Sequence, residues 1–269
     1  FDKIEKDTKV VVAMSGGVDS SVAAVMLKKQ GYDVVGITLR LYNNSHVSKN
    51  KSCCAGVDIQ DAKNVALKYD FRHIVLDYQD KFFDGVISNF VESYSNGETP
   101  LPCVKCNQTV KFKDLLDEAK KIGADALATG HYAIRKGPLN DASLHKAKDF
   151  SKDQSFFLFA TLQEQLNYVR FPLGDFKKSE IRLLAQKYEL DVSDKPDSQD
   201  ICFVTSDSYR DLVKNLNPTV NKKGIIYDIN KNILGTHNGI SNFTIGQRKG
   251  IGISGSTEAL YVIDINKNQ

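Results

Sequence analysis

The chain has 269 residues, of which 41% are hydrophobic, so it can bury the core of one large domain or of two smaller ones. Lysine and arginine exceed aspartate and glutamate by only 36 to 33, and the net charge of +3 permits a nucleic-acid partner without indicating one. No apolar run approaches the roughly 20 residues that cross a bilayer, and the N-terminal residues lack the order of a signal peptide, which argues against a membrane protein and predicts a cytoplasmic one.

Apolar strands and amphipathic helices alternate along the first half of the chain. Residues 9–14, 33–39, 73–78 and 124–131 have the β-branched, apolar composition of buried strands. Helical spacing of apolar residues is found at 20–30, 58–69 and 83–94, and again from about residue 109 to residue 122. Such alternation predicts an α/β fold with a parallel, doubly wound sheet that is covered by helices on both faces.

The second half changes character. Residues 136–152 are polar and predict an exposed connection, and two helical patterns follow at 156–169 and 177–190. Beyond about Asn217 the chain is rich in glycine, asparagine and β-branched residues, and it ends in a strand-like segment at 259–265. We therefore predict a catalytic α/β domain with appended helices at 1–214 and a small β-rich domain at 215–269.

The loop after the first strand, SGGVDS at residues 15–20, has the composition of a phosphate-binding turn. Its two glycines let backbone N–H groups converge on an anion, and the following helix N-terminus adds positive charge. Ser15, Ser20 and Ser21 offer hydroxyl groups. The loop has no lysine and is therefore not a P-loop, whereas Asp19 suits a magnesium ion that accompanies a polyphosphate. A serine-capped glycine turn without a ligand is the structural alternative.

Five cysteines are an odd number in a chain too large to need disulfides. Cys103 and Cys106 form a C-x-x-C pair before the helix predicted from Thr109, and Cys202 lies far along the chain. A thiol near a helix N-terminus and beside Lys105 should have a lowered pKa. From spacing alone, the three cysteines are a redox set, ligands of a metal or cluster, or small buried hydrophobic residues.

Seven motifs in the same order resemble the tRNA-specific 2-thiouridylases, which belong to the ATP pyrophosphatases that carry an SGGVDS loop. The motifs are AMSGGVDSSV, CNQTVKFKDLL, ATGHYA, KDQSFFL, FPLG with KSEIR, DSQDICF and GTHNGISNFTIGQRKGIGI. The resemblance implies an adenine-nucleotide α-hydrolase-like fold and the ATP-dependent replacement of O2 of the tRNA wobble uridine by sulfur. Family members usually carry a further C-terminal β-barrel, which we expect this chain to lack.

The resemblance also implies roles for particular residues. Cys106 corresponds to the catalytic nucleophile, and Cys202 corresponds to the cysteine that carries the persulfide. The implied ATP-binding residues are Ala13, Met14, Ser15, Gly16, Gly17, Val18, Asp19, Ser20, Leu39 and Gly130, with Mg²⁺ as the accompanying ion. The implied tRNA-binding residues are Leu101, Pro102, Cys103, Lys152, Asp153 and Gln154. The implied partners are tRNAs of the Lys, Glu and Gln type, a persulfide sulfur donor and a reductant that opens a Cys106–Cys202 disulfide after each turnover.

One departure from the family pattern keeps more than one interpretation open. Cys103 stands where many members have an aspartate that is associated with the target base, so that contact is in doubt. Cys103, Cys106 and Cys202 could instead be ligands of a [4Fe-4S] cluster with one open iron. Two different functions also fit the motifs: another pyrophosphate-loop ATPase, such as a synthetase or a cluster-dependent tRNA thiolase, and an RNA-binding protein with a structural metal.

Several further residues have weaker indications. Cys53 and Cys54 match no assigned role and are expected to be structural. His131 has the chemistry of a general base, but we prefer a nucleotide-pocket role for its neighbour Gly130 and expect His131 to be a hydrogen-bonded structural histidine. The other basic candidates for phosphate contacts are Lys146, Lys148, Arg170, Lys177, Lys178, Arg182, Lys222, Lys223, Arg248 and Lys249.

Overall fold

A five-stranded parallel sheet organises the first part of the protein. The computed structural model describes residues 3–42, 54–197, 200–204, 208–220, 222–254 and 258–267, with the backbone alone at residues 54 and 55. The strands are β1 (Lys9–Ala13), β2 (Asp33–Arg40), β3 (Arg72–Asp77), β4 (Ala126–Thr129) and, after a separate hairpin, β7 (Val169–Arg170). They lie in the order β3-β2-β1-β4-β7, and every neighbouring pair is parallel.

Seven helical stretches accompany these strands in the described ranges. Two of them contain a π-helical segment. The stretches are α1 (Val18–Lys29), α2 (Cys54–Lys68), α3 (Gln79–Phe82, the π segment Phe83–Ile87 and Ser88–Ser95), α4 (Pro102–Cys106, the π segment Asn107–Leu115 and Leu116–Lys121), α5 (Gln163–Tyr168), α6 (Lys178–Lys187) and α7 (Tyr209–Leu216). Short 3-10 turns occur at Glu5–Asp7, Ser155–Leu158, Pro218–Val220 and Ile240–Asn242. No helix in the described part of the chain is long and apolar enough to cross a bilayer.

Strand β1 shows why its sequence is uniformly β-branched. Side chains alternate between the two faces of a strand, and Val10 and Val12 accordingly pack in one core cluster while Val11 packs in another. The first cluster includes residues of α1 and α6, and the second includes Phe112 and Leu115 of α4. Both faces of the sheet are therefore covered, which confirms the predicted α/β class.

A third core cluster lies beyond the sheet and joins distant parts of the chain. Phe203 is almost fully buried, and its ring lies 5.7 Å from that of Phe82 and 5.3 Å from that of Phe90. Cys106 and Leu212 belong to the same cluster. This packing holds the segment around Cys202 against α3, α4 and α7.

One prediction for the middle of the chain is incomplete and another is wrong. The connection predicted at 136–152 is exposed over most of its length, as expected, but it contains the second strand of an antiparallel hairpin, formed by β5 (Ala133–Lys136) and β6 (Ser143–Lys146). The helix predicted over 156–169 is confined to α5, because the backbone at Leu162 is extended and the Gln165 side chain accepts its N–H at 3.0 Å. The apolar spacing that suggested a longer helix arises from phenylalanines that are exposed.

The last part of the chain forms a small β-rich region. Strands β8 (Gly224–Tyr227) and β9 (Ile233–His237) form an antiparallel hairpin with a bulge. The segment 259–265 is not a strand, and its Val262 exchanges backbone hydrogen bonds with Gly246 and Gln247 at 2.7 and 3.0 Å. The boundary predicted after residue 214 falls inside α7, whose Val213 is buried in the third core cluster.

Candidate nucleotide and thiol site

The phosphate-binding loop predicted from the sequence lies at the carboxyl edge of the sheet. It follows β1, which is flanked by β2 and β4, so Leu39 near the end of β2 and Gly130 just after β4 are placed at the same edge. Ligands of open α/β sheets bind in such crevices. A Cβ atom on Gly130 would lie 2.8 Å from the backbone nitrogen of Ser20, so only glycine allows this close approach.

Gly16 and Gly17 shape the loop in different ways. Gly16 has a φ of +75°, and a Cβ atom there would overlap the carbonyl group of Asp58. Gly17 is the N-cap of α1 and has no side chain that caps the helix. The N–H groups of the first turn of α1 therefore stay available to an anion, as the sequence predicts.

The serines of the loop do not all face a ligand. The Ser20 hydroxyl accepts a hydrogen bond from the Ser15 N–H at 3.1 Å and donates one to the carbonyl oxygen of Gly17 at 3.3 Å, so it braces the loop from inside. Ser21 is fully buried. The expectation that all three hydroxyl groups serve a phosphate is therefore wrong for Ser21, and Ser15 is the exposed serine of the three.

Lys195 braces the loop from the outside, which the sequence did not suggest. Its Nζ atom donates to the carbonyl oxygen of Gly16 at 2.9 Å and to the carboxylates of Asp58 and Asp61 at 2.6 Å each. Partial burial alone would lower the pKa of Lys195, but the two hydrogen-bonded carboxylates raise it. Lys195 thereby fixes the loop to helix α2.

Asp19 is held by two residues that lie far away in the sequence. Lys178 Nζ lies 2.7 and 2.8 Å from the two carboxylate oxygens of Asp19, and the Tyr132 hydroxyl donates to Oδ1 at 2.8 Å. Burial and the neighbouring Asp19 charge raise the pKa of Tyr132, so its hydroxyl stays protonated and donates. Lys178 is 9% exposed, so it is not one of the surface cations proposed to contact RNA.

Asp197 extends this ion-pair network to the KDQ segment. Its carboxylate lies 2.9 Å from Nζ of Lys178, from Nζ of Lys152 and from a guanidinium nitrogen of Arg182. Partial burial would raise the pKa of Asp197, but the hydrogen bonds from Lys178 and Lys152 dominate and lower it to about 2. The predicted tRNA-binding Lys152 is thus connected to the predicted ATP-binding Asp19 through two intervening residues.

The other residues of the KDQ segment hold neighbouring backbone. Gln154 accepts the Tyr132 N–H at 2.9 Å through its side chain and donates its own N–H to the Tyr132 carbonyl at 2.8 Å. Asp153 accepts hydrogen bonds from the Ala147 N–H and the Ser155 hydroxyl, both at 2.7 Å. The predicted contact of Lys152, Asp153 and Gln154 with tRNA stays a prediction, and their contacts here keep the segment rigid.

Cys103 and Cys106 lie inside a helix and not before one. Helix α4 begins at Pro102, a residue well suited to the first helical position, and not near Thr109. Cys103 is exposed in the first turn, while Cys106 is buried one turn later. The next residue, Asn107, is buried and its amide donates to the Phe157 carbonyl at 3.1 Å, which ties the cysteine helix to the 3-10 turn.

The predicted lowering of the Cys106 pKa is wrong. Burial raises the pKa of the Cys106 thiol, Lys111 opposes this effect, and Cys103 adds to it. Cys106 lies beyond the first turn, where the helix N-terminus acts most strongly, so burial prevails. The cation that acts on Cys106 is Lys111, five positions further along α4, and not Lys105.

Cys202 lies close enough to Cys106 for their charges to interact. Cys202 is an exposed residue, and partial desolvation by the surrounding protein raises the pKa of its thiol to about 12. The Cys106 and Cys103 charges raise this pKa further, and Lys111 lowers it. Within the described ranges, no three cysteine, histidine, aspartate or glutamate side chains are grouped so that they hold a metal ion, so the alternative [4Fe-4S] cluster on Cys103, Cys106 and Cys202 finds no ligand set here. Cys53 lies outside the described residues, as does the side chain of Cys54.

Lys111 should control the reactivity of this thiol pair. A thiol with a raised pKa becomes a thiolate only as the pH rises, so removal of the nearby cation should shift the alkylation profile of Cys202 to higher pH. For Lys111→Gln we expect the pKa of Cys202 to rise by about half a unit, so that its alkylation at about pH 9 becomes about threefold slower. The measurement is iodoacetamide labelling followed by mass spectrometry. The exposed Lys113→Gln is the matched control, and equal rates in the two variants would refute the role of Lys111.

Residues around α4 also form an exposed apolar surface. Leu101 precedes the helix and is 46% exposed, whereas Pro102 is buried. Phe156 and Phe159 are 59% and 64% exposed, with their rings 6.0 Å apart. Exposed aromatic rings suit base stacking, and sequence periodicity had placed these two on a helix.

His131 is a structural residue. Its Nδ1 atom lies 2.9 Å from the Thr129 hydroxyl, and its ring contacts those of Phe112 and Phe171 edge-on. Burial, with a contribution from the Lys111 charge, lowers the pKa of His131 well below its ordinary value. The Lys111 charge thus acts on both the thiol pair and the residue after Gly130. Leu39 near the end of β2 packs against the core cluster that contains Cys106, so this thiol and the nucleotide crevice are neighbours.

Comparison with known sequences identifies the family. A sequence model described as tRNA methyl transferase HUP domain matches residues 8–206, and one described as tRNA methyl transferase PRC-barrel domain matches residues 211–269. The tRNA-specific 2-thiouridylase MnmA of Orientia tsutsugamushi (strain Boryong) is 56% identical over 269 residues, which cover 99% of this chain and 73% of that protein. The chain belongs to the tRNA-specific 2-thiouridylase family.

Other members of the thiouridylase family match to a similar extent. The relative from Bradyrhizobium sp. (strain ORS 278) is 55% identical over 97% of this chain and 66% of its own length. The relative from Rickettsia prowazekii (strain Madrid E) is 55% identical over 96% of this chain and 72% of its own length. The chain thus spans about two thirds of the length of these curated relatives. The family membership predicted from the seven motifs is confirmed.

Two solved structures align with most of this thiouridylase-family chain at low similarity. A 4-thiouridine synthetase in complex with RNA and bound ATP aligns with 77% of this chain and 50% of its own, at 16% identity and a TM-score of 0.47. The NMN synthetase from Francisella tularensis aligns with 79% of this chain and 77% of its own, at 14% identity and a TM-score of 0.45. The HUP-domain match and the observed parallel sheet confirm the predicted fold class.

Proposed function

We propose that the protein is a tRNA-uridine 2-sulfurtransferase, which uses ATP to replace O2 of the wobble uridine by sulfur. The observation that carries this proposal is the assembly, beside one sheet edge, of an anion-binding loop and a pair of interacting thiols, Cys106 and Cys202. The first can activate an oxygen as a leaving group, and the second can deliver the sulfur that replaces it. Neither half has a use in a simple RNA-binding protein.

In the first stage, ATP binds in the loop formed by residues 13–20, with Leu39 and Gly130 beside it. The free N–H groups of the first turn of α1 hold phosphate oxygens, and O2 of the uridine attacks the α-phosphorus so that pyrophosphate leaves. A magnesium ion that accompanies ATP would be held by Asp19, whose carboxylate in this structure accepts hydrogen bonds from Lys178 and Tyr132.

In the second stage, a persulfide on Cys202 supplies the sulfur. In one route its terminal sulfur attacks C2 and AMP leaves, after which Cys106 attacks the Cys202 sulfur, breaks the S–S bond to the base and releases 2-thiouridine. In the other route Cys106 first attacks the Cys202 sulfur of the persulfide and releases sulfide, which attacks C2 as AMP leaves. In both routes the sulfane sulfur is reduced while Cys106 and Cys202 are oxidised to a disulfide, so an external dithiol must restore them. Desolvation raises both thiol pKa values, while the exposed surface of Cys202 leaves its sulfur accessible to a donor.

The substrates follow from the family. We propose tRNAs of the Lys, Glu and Gln type, a persulfide donor protein and activity in the cytoplasm. The target uridine must be unstacked to reach the thiols. Phe156, in the 3-10 turn beside α4, and Phe159, which follows this turn, are exposed and suit stacking with the bases around the uridine. Leu101, Pro102 and Cys103 lie at the start of the cysteine helix, where the base would enter.

The experiment is an assay with unmodified tRNA, ATP and a persulfide donor, followed by mass spectrometry of the nucleosides. We expect 2-thiouridine at the wobble position, with AMP and pyrophosphate released in equal amounts. The description of the matching sequence models raises methyl transfer as the competing reaction. A methylated nucleoside formed from a methyl donor, without ATP cleavage, would contradict the proposal.

A further inference from the structure

Lys178 is a buried lysine at an unusual position. It is the first residue of α6, where the helix N-terminus favours anions over cations. Its side chain is 11% exposed and reaches the phosphate-binding loop, where Nζ contacts both carboxylate oxygens of Asp19 and, at 2.9 Å, a carboxylate oxygen of Asp197. The desolvation of such a cation is costly, so packing alone does not account for it.

Lys178 brings a positive charge to a loop that has no lysine of its own. Its ion-pair network joins three cations, Lys178, Lys152 and Arg182, to two carboxylates, Asp19 and Asp197. A third carboxylate, that of Asp149, accepts the Lys178 N–H at 2.9 Å, so the charges balance and an incoming phosphate must displace a carboxylate from Lys178. In P-loop proteins a lysine within the loop contacts the β- and γ-phosphates, and here the corresponding charge comes from a helix 159 residues away in sequence.

Lys195 provides an instructive contrast. It also contacts the loop, but two aspartates of α2 and a backbone carbonyl satisfy its three N–H groups. Two of the three contacts of Lys178 go to Asp19, which belongs to the ligand-binding loop itself. Lys195 is thus suited to holding the loop in place, and Lys178 is suited to exchanging the Asp19 carboxylate for a phosphate.

We infer that Lys178 binds the phosphate chain of ATP and stabilises the pyrophosphate that leaves. Without nucleotide, the ammonium group of Lys178 is paired with the Asp19 carboxylate. When the nucleotide binds, Lys178 contacts phosphate oxygens and the Asp19 carboxylate is released. This inference rests on the proposed function, since it assumes that the loop binds ATP and that the bond between the α- and β-phosphates breaks.

Binding of inorganic pyrophosphate and of adenosine to the full chain tests Lys178 without the need for tRNA. For Lys178→Gln we expect pyrophosphate affinity to fall by about 10- to 100-fold and adenosine affinity to stay unchanged, because the lysine contacts only phosphate. The exposed neighbour Lys177→Gln is the matched control and should bind both probes as the wild type does. Equal pyrophosphate affinity in Lys178→Gln and wild type would overturn the inference.

A second variant tests the exchange of partners and does not depend on the folding of Lys178→Gln. Asp19→Asn removes the carboxylate that occupies Lys178, so pyrophosphate affinity in metal-free buffer should rise by about tenfold, and Lys178→Gln in the same background should abolish the rise. An unchanged affinity in Asp19→Asn would contradict the exchange. If the wild type bound neither probe, the proposed function itself would fail, which distinguishes the two failures.

Discussion

Replacement of Cys202 by serine is expected to reduce tRNA thiolation at least about 1,000-fold, because a hydroxyl group cannot carry a persulfide. Cys202 contributes none of the contacts that hold the anion-binding loop, so formation of the adenylate should survive. ATP–pyrophosphate exchange in the presence of tRNA measures that first stage, and we expect it to stay within about twofold of the wild type. Thiolation is measured by mass spectrometry of the nucleosides.

Cys106 and Cys103 give the controls for this prediction. Cys106→Ser should also stop turnover, but Cys202 should still accept a sulfane sulfur, which is detectable as a persulfide by mass spectrometry of the intact protein. Cys103→Ser should keep most of the thiolation activity, because the two-thiol route needs only the other two cysteines. Loss of activity in all three variants, together with iron in protein purified without oxygen, would favour the cluster route over the persulfide route.

Replacement of Gly16 by alanine is the second change with a large expected effect. The left-handed φ of +75° and the overlap of a Cβ atom with the Asp58 carbonyl should together cost roughly 3 kcal/mol of unfolding free energy. The melting temperature should fall by roughly 5–10 °C, as measured by calorimetry. ATP–pyrophosphate exchange should be lost as well, since the loop cannot keep its path beside α2.

Gly17→Ala is the matched control for this loop. Gly17 has a φ of −92°, and a Cβ atom there would approach only the Ser15 hydroxyl, at 3.6 Å. We therefore expect its melting temperature to stay close to that of the wild type. If Gly16→Ala melted at the same temperature as Gly17→Ala, the strain attributed to the Gly16 conformation would not exist.

The raised thiol pKa values give the proposed mechanism a specific requirement. Two neutral thiols do not attack, so the cation that opposes burial, Lys111, must act together with the arrival of the sulfur donor or of the substrate. The same residue influences His131 beside the nucleotide crevice. Lys111 is therefore the charge shared by the two halves of the site.

Local sequence determined those features that depend on neighbouring residues. The β-branched run Val10, Val11 and Val12 requires burial on both faces, and it forms the central strand of the sheet. The two glycines of the loop allow only a tight turn before α1. The seven motifs identified the family because each motif is a short, continuous stretch.

Only the tertiary structure decided the charges and the environments of these groups. Lys178 meets Asp19 across 159 residues, so no local pattern indicates the pair. The Cys106 pKa was predicted from its own helix, but burial among residues such as Phe203 and Leu212 sets it in the opposite direction. Periodicity also failed at 156–169, where apolar side chains face solvent. Burial and ion pairing sum over distant segments, so the fold was predictable from the sequence while the electrostatics of the site were not.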